Sequence, residues 1–215
     1  MPLPSSPIGG IPHHLTKPSL FALVSAEPRP RLHELEVANR SDDVKVLYSG
    51  PQLDVMEFEA LKVAGDVGAK AGQCAGVIVI AADDYFEALG MSNEDDPDAQ
   101  LLDSLRHLSE GTLQLEWPGR RVSMPLLIAY EFDVGHEESN SKDYCYYLSI
   151  DPFILQLARS HTHVDQNTAQ FVLDVSAAEA AMASQRQALQ DAATAAAAAA
   201  VTAAADRARS DRPRD

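Results

Sequence analysis

Cysteine is scarce in this chain. The two present, Cys74 and Cys145, make neither a metal-ligand spacing nor a redox pair, so a zinc finger, an iron–sulfur site and a dithiol centre are all excluded. A reduced, cytoplasmic setting is the simplest expectation. Basic residues are also few, 17 Lys and Arg against 32 Asp and Glu, for a net charge of −15. That balance argues against plain electrostatic attraction to nucleic acid. No run approaches the roughly 20 apolar residues of a membrane helix, and the N-terminus lacks a charged-then-apolar leader pattern. The catalytic motifs G-x-S-x-G, the P-loop and H-E-x-x-H are missing too, so neither an enzyme nor a cofactor is expected. His13-His14 and the His161-x-His163 pair have no partners that complete a metal site. The acidic run at 94–96 with Asp98 lacks the glycine and terminal glutamate of a calcium loop, and reads as a turn plus a helix cap.

What is abundant sits at the ends. The first thirty residues hold Pro2, Pro4, Pro7, Pro12, Pro18, Pro28 and Pro30, which remove backbone donors and favour an extended arm, taken as residues 1–33. Residues 171–215 are alanine-rich, with an unbroken run at 195–200. Alanine favours helix but offers little surface to bury, so this tail is expected to be helical without packing. The folded part is then 34–170, with 46% apolar content overall and enough chain for one core. Between Glu34 and Arg159 stand 24 acidic and 9 basic residues, so the whole −15 lies in that part.

Periodicity within it predicts an α+β fold. V-K-V-L-Y at 44–48 alternates as a strand, stopped by Ser49-Gly50-Pro51. Leu53, Met56, Ala60, Val63, Ala64 and Val67 follow at helical spacing. After a break at 72–76, V-I-V-I at 77–80 is a short buried strand. Asp83 or Asp84 can cap a helix that Gly90 stops, and Asp96 with Pro97 starts another that Gly111 closes. Residues 112–117 and 121–128 make a hairpin turning at Pro118-Gly119, which 129–134 extends. After a polar loop at 135–143, 144–150 is a strand, and Asp151-Pro152 opens a final short helix. A short helix, a turn, a second helix and then a hairpin is the order of a winged helix: a helix-turn-helix plus a β-hairpin wing. Residues 98–110 would be the recognition helix, and 118–120 the tip of the wing.

Several segments resemble the first winged-helix domain of the TrfA-type plasmid replication initiator family. They are Y-S-G-P-Q-L-D-V at 48–55, V-I-V-I-A-A-D-D-Y-F-E-A-L-G at 77–90, L-L-D-S-L-R-H-L at 101–108, L-S-I-D-P-F-I-L at 148–155 and H-T-H-V-D at 161–165. Each match is short, but five stand in the same order over most of the folded part. The resemblance implies a non-catalytic protein that binds repeated sites in plasmid origin DNA and acts in replication initiation and copy control, alongside host replication proteins. Such initiators usually carry two winged helices, and no second one is legible after Gln166. An alternative therefore stands beside the first: a protein–protein or dimerisation module, or a truncated initiator lacking its DNA-reading half. A homodimer belongs to either reading.

The residues expected to touch DNA are Arg106 and His107 on the recognition helix, and Arg120 and Arg121 on the wing. Arginine can bridge two base acceptors or clamp a phosphate, whereas neutral histidine is a weaker donor. Against that, Arg106 has Asp103 and Glu110 at helical i,i+3 and i,i+4 spacing. Trp117, at the end of the first hairpin strand, is expected to pack on the hairpin or its partner strand.

Overall fold

The computed structural model describes residues 20, 29–70, 77–132, 144–160, 162–165 and 170–210. The expected break at 72–76, the loop at 135–143 and most of the proline-rich segment lie outside them. Among the described residues the order is β1 (Arg31–Glu36), β2 (Lys45–Pro51), α1 (Val55–Lys70), β3 (Val77–Ala81), α2 (Ala82–Leu89), α3 (Pro97–Glu110), β4 (Thr112–Trp117), β5 (Arg120–Pro125), β6 (Ala129–Phe132), β7 (Cys145–Ser149), α4 (Pro152–Arg159), β8 (Thr162–Asp165), β9 (Gln170–Val172) and α5 (Val175–Ser210). No helix among them is long and apolar enough to cross a membrane.

The strands form two main antiparallel sheets. One has the order β1-β2-β4-β5, the other β3-β7-β6, and β8 pairs with β9 as a separate ribbon. Strand β1 begins inside the segment read as an arm. Its alternation is broken by a register shift between Leu32 and Leu35, where Glu34 takes a positive φ of 46° and donates its N–H to Ser49 Oγ. The strand at 129–132 does not extend the hairpin as expected. Pro125 has no N–H with which to prolong the ladder. Leu126 and Leu127 then bury at the corner, Leu126 N–H bonds to the Gly111 carbonyl and Ile128 N–H to the Ser149 carbonyl. The chain so passes from one sheet to the other within four residues.

Period-2 alternation decides what each sheet buries. On the first, Val46, Tyr48, Leu113 and Leu115 face the core. On the second, Ile78, Ile80, Tyr146 and Leu148 do, while Val77 and Val79 face outward. Helices α1, α3 and α4 close the core through Phe58, Leu61, Leu101, Leu105, Leu108, Ile154 and Leu157.

Local chemistry sets most helix ends. Asp96 accepts from Ala99 N–H with Pro97 at the first helical position, and Asp151 accepts from Phe153 N–H ahead of Pro152. Gly90 ends α2 in the left-handed region at φ 73°. The expected aspartate cap on α2 is not made. Strand β3 runs straight into the helix, Ala81 occupies the cap without a side-chain bond, and Ala82 N–H bonds to the Tyr144 carbonyl instead. Asp83 and Asp84 stand in the first turn, where the helix dipole favours negative charge. The alanine-rich segment is helical from Val175 to Ser210. Its first turns do pack: Val175 and Ala178 are fully buried, and from Arg186 to Val201 every residue is exposed.

Candidate nucleic-acid interface

Helix α3 leads into the hairpin through Gly111, and the Pro118-Gly119 turn places Gly119 at φ 79°. The turn is tight, and β4 and β5 stay in register along their length, from Thr112 opposite Pro125 to Trp117 opposite Arg120. This fixes where the four expected contact residues point.

Arg106 lies on the solvent side of α3, 56% exposed, and pairs with Asp103 at 3.1 Å on the same helix. Arg121 is 64% exposed and pairs with Glu116, its cross-strand partner. Arg120 and Arg121 are adjacent, so they project from opposite faces of the hairpin. Arg120 shares the face of Leu115, Val122 and Met124, and its guanidinium lies 5.0 Å above the ring of Trp117. Trp117 thus packs within the hairpin as expected, and the two hairpin arginines do not act as one patch.

His107 does not stand with the arginines. It turns inward, 8% exposed, and its Nδ1 meets Glu57 Oε1 at 3.1 Å. A side chain enclosed between α3 and α1 cannot reach a groove while that contact holds, so His107 supports α3 rather than presenting a donor to DNA.

Glu57 is the organising residue that sequence reading missed. It is fully buried at the start of α1. Its Oε2 accepts from Asp54 N–H at 2.6 Å, as the glutamate of a capping box does. Its Oε1 accepts from Arg29 Nη1 at 2.7 Å and from His107. A carboxylate only accepts, so the ring nitrogen donates. Arg29 also approaches the Gln52 carbonyl at 3.4 Å, and Arg31 pairs with Glu110 at the far end of α3. The hydrogen bond from Arg31 holds the Glu110 carboxyl below its usual range. The chain segment around Arg29 and Arg31 therefore holds α1 through Glu57 and the end of α3 through Glu110. Only the D-x-x-E spacing at Asp54 and Glu57 signalled this, and it signalled the cap alone.

The start of α3 is held as well. The hydroxyls of Tyr144 and Tyr146 both donate to Asp98 Oδ1. Burial, and then this bond to a carboxylate, raise both tyrosine pKa values. Asp98 is thus tied to β7.

No protein-family model matches the chain, and no curated protein sequence matches it. Among solved structures, a crystal structure of selenomethionine derivatives of domains 2 and 3 of RctB is 11% identical, with a TM-score of 0.47, covering 64% of this chain and 56% of that one. A second crystal structure of RctB domains 2–3 is 11% identical, with a TM-score of 0.45, covering 66% of this chain and 57% of that one. The chain therefore spans little more than half the length of either.

Proposed function

We propose that this protein is a non-catalytic DNA-binding protein of the replication-initiator type, with α2 and α3 as a helix-turn-helix and β4–β5 as the wing. The observation that carries this reading is the order of elements: an 8-residue helix, a short turn, a 14-residue helix, and a hairpin immediately after it. The segments that resemble the TrfA-type family fall on the matching elements, with the strand and Leu-Gly helix on β3–α2, the L-L-D-S-L-R-H-L segment on α3 and the Asp-Pro step on α4. Its partners on this reading are repeated sites in origin DNA and host replication proteins, in the cytoplasm, and it needs no cofactor.

Arg106 and Arg121, 56% and 64% exposed, are open to solvent and available to DNA. Their carboxylate partners do not forbid the role. An exposed ion pair is worth about 0.2–1 kcal/mol, less than a bidentate arginine contact with guanine at about 1–3 kcal/mol. Both can exchange a neighbour for a phosphate or base at small cost.

The test is an electrophoretic shift with duplexes carrying candidate origin repeats, at about 0.15 M salt. A cognate repeat is expected to shift well below the micromolar range, and Arg106→Ala to weaken it about tenfold. No shift at micromolar protein, where nonspecific binding alone begins, removes the reading.

A second reading, a protein-interaction or dimerisation module, is favoured by the −15 charge and by the outward Val77 and Val79, 51% and 37% exposed. Analytical ultracentrifugation tests it, and a strict monomer that also fails to bind an initiator counts against it.

A further inference from the structure

The described residues line an open cleft of about 310 Å³ between the hairpin and the first turns of α5. Its apolar lining includes Trp117, Phe153 and Met182, and its rim carries Arg120, Arg186 and Glu179. The three α5 residues, Glu179, Met182 and Arg186, stand at i, i+3 and i+7, so they share one helix face. All three rim side chains belong to exposed residues, whereas Trp117, Phe153 and Met182 are half-buried.

The two arginines differ from most of the basic residues around them. Arg29, Arg31, Arg106, Arg121 and Arg159 each pair with a carboxylate. Among the described residues Arg120 has only the face of Trp117, and Arg186 has no ion pair. Among the described residues Arg40, on a different part of the surface, likewise has no ion pair, although the chain has nearly twice as many acidic as basic residues. Arg120 and Arg186 both stand at the mouth of one cleft, which has an apolar floor and a charged rim. The chemistry that satisfies such a site is an apolar body with an anionic head.

We propose that this cleft is a docking site for the C-terminal residue of a partner protein, one with an aromatic or large aliphatic side chain. The side chain enters among Trp117, Phe153 and Met182. The terminal carboxylate meets Arg120 and Arg186, and a backbone N–H of the peptide donates to Glu179. Size favours a single residue, because the cavity lies at the low end of the roughly 300–1,000 Å³ of ligand sites. A terminal residue carries its carboxylate and its side chain on one Cα, so both reach the short span between rim and floor. Charge favours a peptide over a nucleic-acid strand. A strand would bring further phosphates onto a surface whose net charge is −15. A single carboxylate is met by two arginines and leaves the rim balanced. The site is independent of the DNA reading, which rests on Arg106 and Arg121.

Trp117 is the only tryptophan in the chain, so occupancy reads out directly as its fluorescence. The probes, titrated into the full chain, are acetyl-Gly-Gly-Phe with a free carboxylate, the same peptide as its C-terminal amide, acetyl-phenylalanine, and a thymidine oligonucleotide. Calorimetry runs in parallel for probes that leave the fluorescence unchanged. The acid peptide is expected to saturate, the amide to bind about tenfold more weakly, and Arg120→Gln and Arg186→Gln each to weaken the acid peptide about tenfold with circular dichroism unchanged. Arg121→Gln, on the opposite face of the hairpin, is expected to leave the peptide titration as it was. No saturable binding by millimolar acid peptide overturns the proposal, as does equal binding of acid and amide. Acetyl-phenylalanine binding as tightly as the peptide would reassign the cleft to a small aromatic acid. Tighter binding of the oligonucleotide, lost in the same two variants, would reassign it to single-stranded nucleic acid.

Discussion

Replacing Glu57 with alanine is expected to be among the most damaging single changes in the chain. The side chain has no exposure and accepts three hydrogen bonds, from Asp54 N–H, Arg29 and His107. Arg29 stays behind with its side chain only 13% exposed. Stripping one partner from a buried ion pair costs about 3–5 kcal/mol. The lost cap on α1 overlaps that figure and adds a fraction of about 1 kcal/mol. Arg29 keeps its other contacts, the Gln52 carbonyl at 3.4 Å among them, which offset part of this. A net loss of about 4 kcal/mol follows, out of the roughly 5–15 kcal/mol that hold a domain together. Urea unfolding followed by Trp117 fluorescence measures it. With a slope of about 2 kcal/mol per molar urea, the midpoint falls by about 2 M. The double variant Glu57→Leu, Arg29→Met removes both charges and is expected to recover much of the loss, because well-packed apolar replacements of buried pairs are often neutral. A loss below about 1 kcal/mol for Glu57→Ala would refute the assignment of Glu57 as the hub. So would a double variant as unstable as the sum of the two single ones.

Three further outcomes are expected. Burial raises the pKa values of Tyr48, Tyr85, Tyr144 and Tyr146, with Glu57 adding to the first and Asp98 to the last two. These hydroxyls hold their protons in the folded chain at pH values where the unfolded chain has released them, so their contribution is complete below about pH 10 and is lost as pH rises beyond it. Phenolate absorbance at 295 nm from these four should then rise together with loss of circular dichroism, and the absorbance of all six tyrosines ionised in a still-folded protein would contradict this. Gly50→Ala places a Cβ 2.6 Å from Tyr48 Oη and 2.8 Å from the Gly111 backbone at a φ of 149°, which should cost about 3 kcal/mol and lower the melting temperature by about 10 °C. A fall under about 2 °C would show that the junction yields. Ending the chain after Arg186 should change stability by less than about 0.5 kcal/mol, since 186–201 is exposed throughout, whereas ending it before Val175 should unfold it. Equal stability of the two truncations in a thermal melt would mean that Val175 and Ala178 are not core residues.

What was legible in the sequence was short-range. Asp96-Pro97, Gly90, Asp151-Pro152 and Pro118-Gly119 act within a turn of chain, and each sits where its chemistry required. The opposite faces of Arg120 and Arg121 follow from strand periodicity once the hairpin is granted. The hub was not legible, because Arg29 and His107 reach Glu57 across 28 and 50 residues. On a helix, L-R-H-L allows a histidine on either side, and only tertiary packing turned His107 inward. Nor was the change of sheet after Pro125, because an apolar run through Leu126, Leu127 and Ile128 reads as one strand continuing. The docking of α5 escaped notice because few large apolar side chains carry it, with Val175 and Ala178 the fully buried ones, ahead of a long alanine tract.

Helix α5 has a mechanical consequence. It runs for 36 residues, about 54 Å at 1.5 Å per residue; its first turns are seated on the core, and 186–201 is exposed. The backbone from Met182 to Ser210 is thus a lever about 42 Å long with its fulcrum beside the hairpin cleft. A tilt of about 10° there sweeps the far end through about 7 Å. An event at the cleft that reorients the first turns of α5 is converted into a displacement many times larger at a distance, with no change in the core.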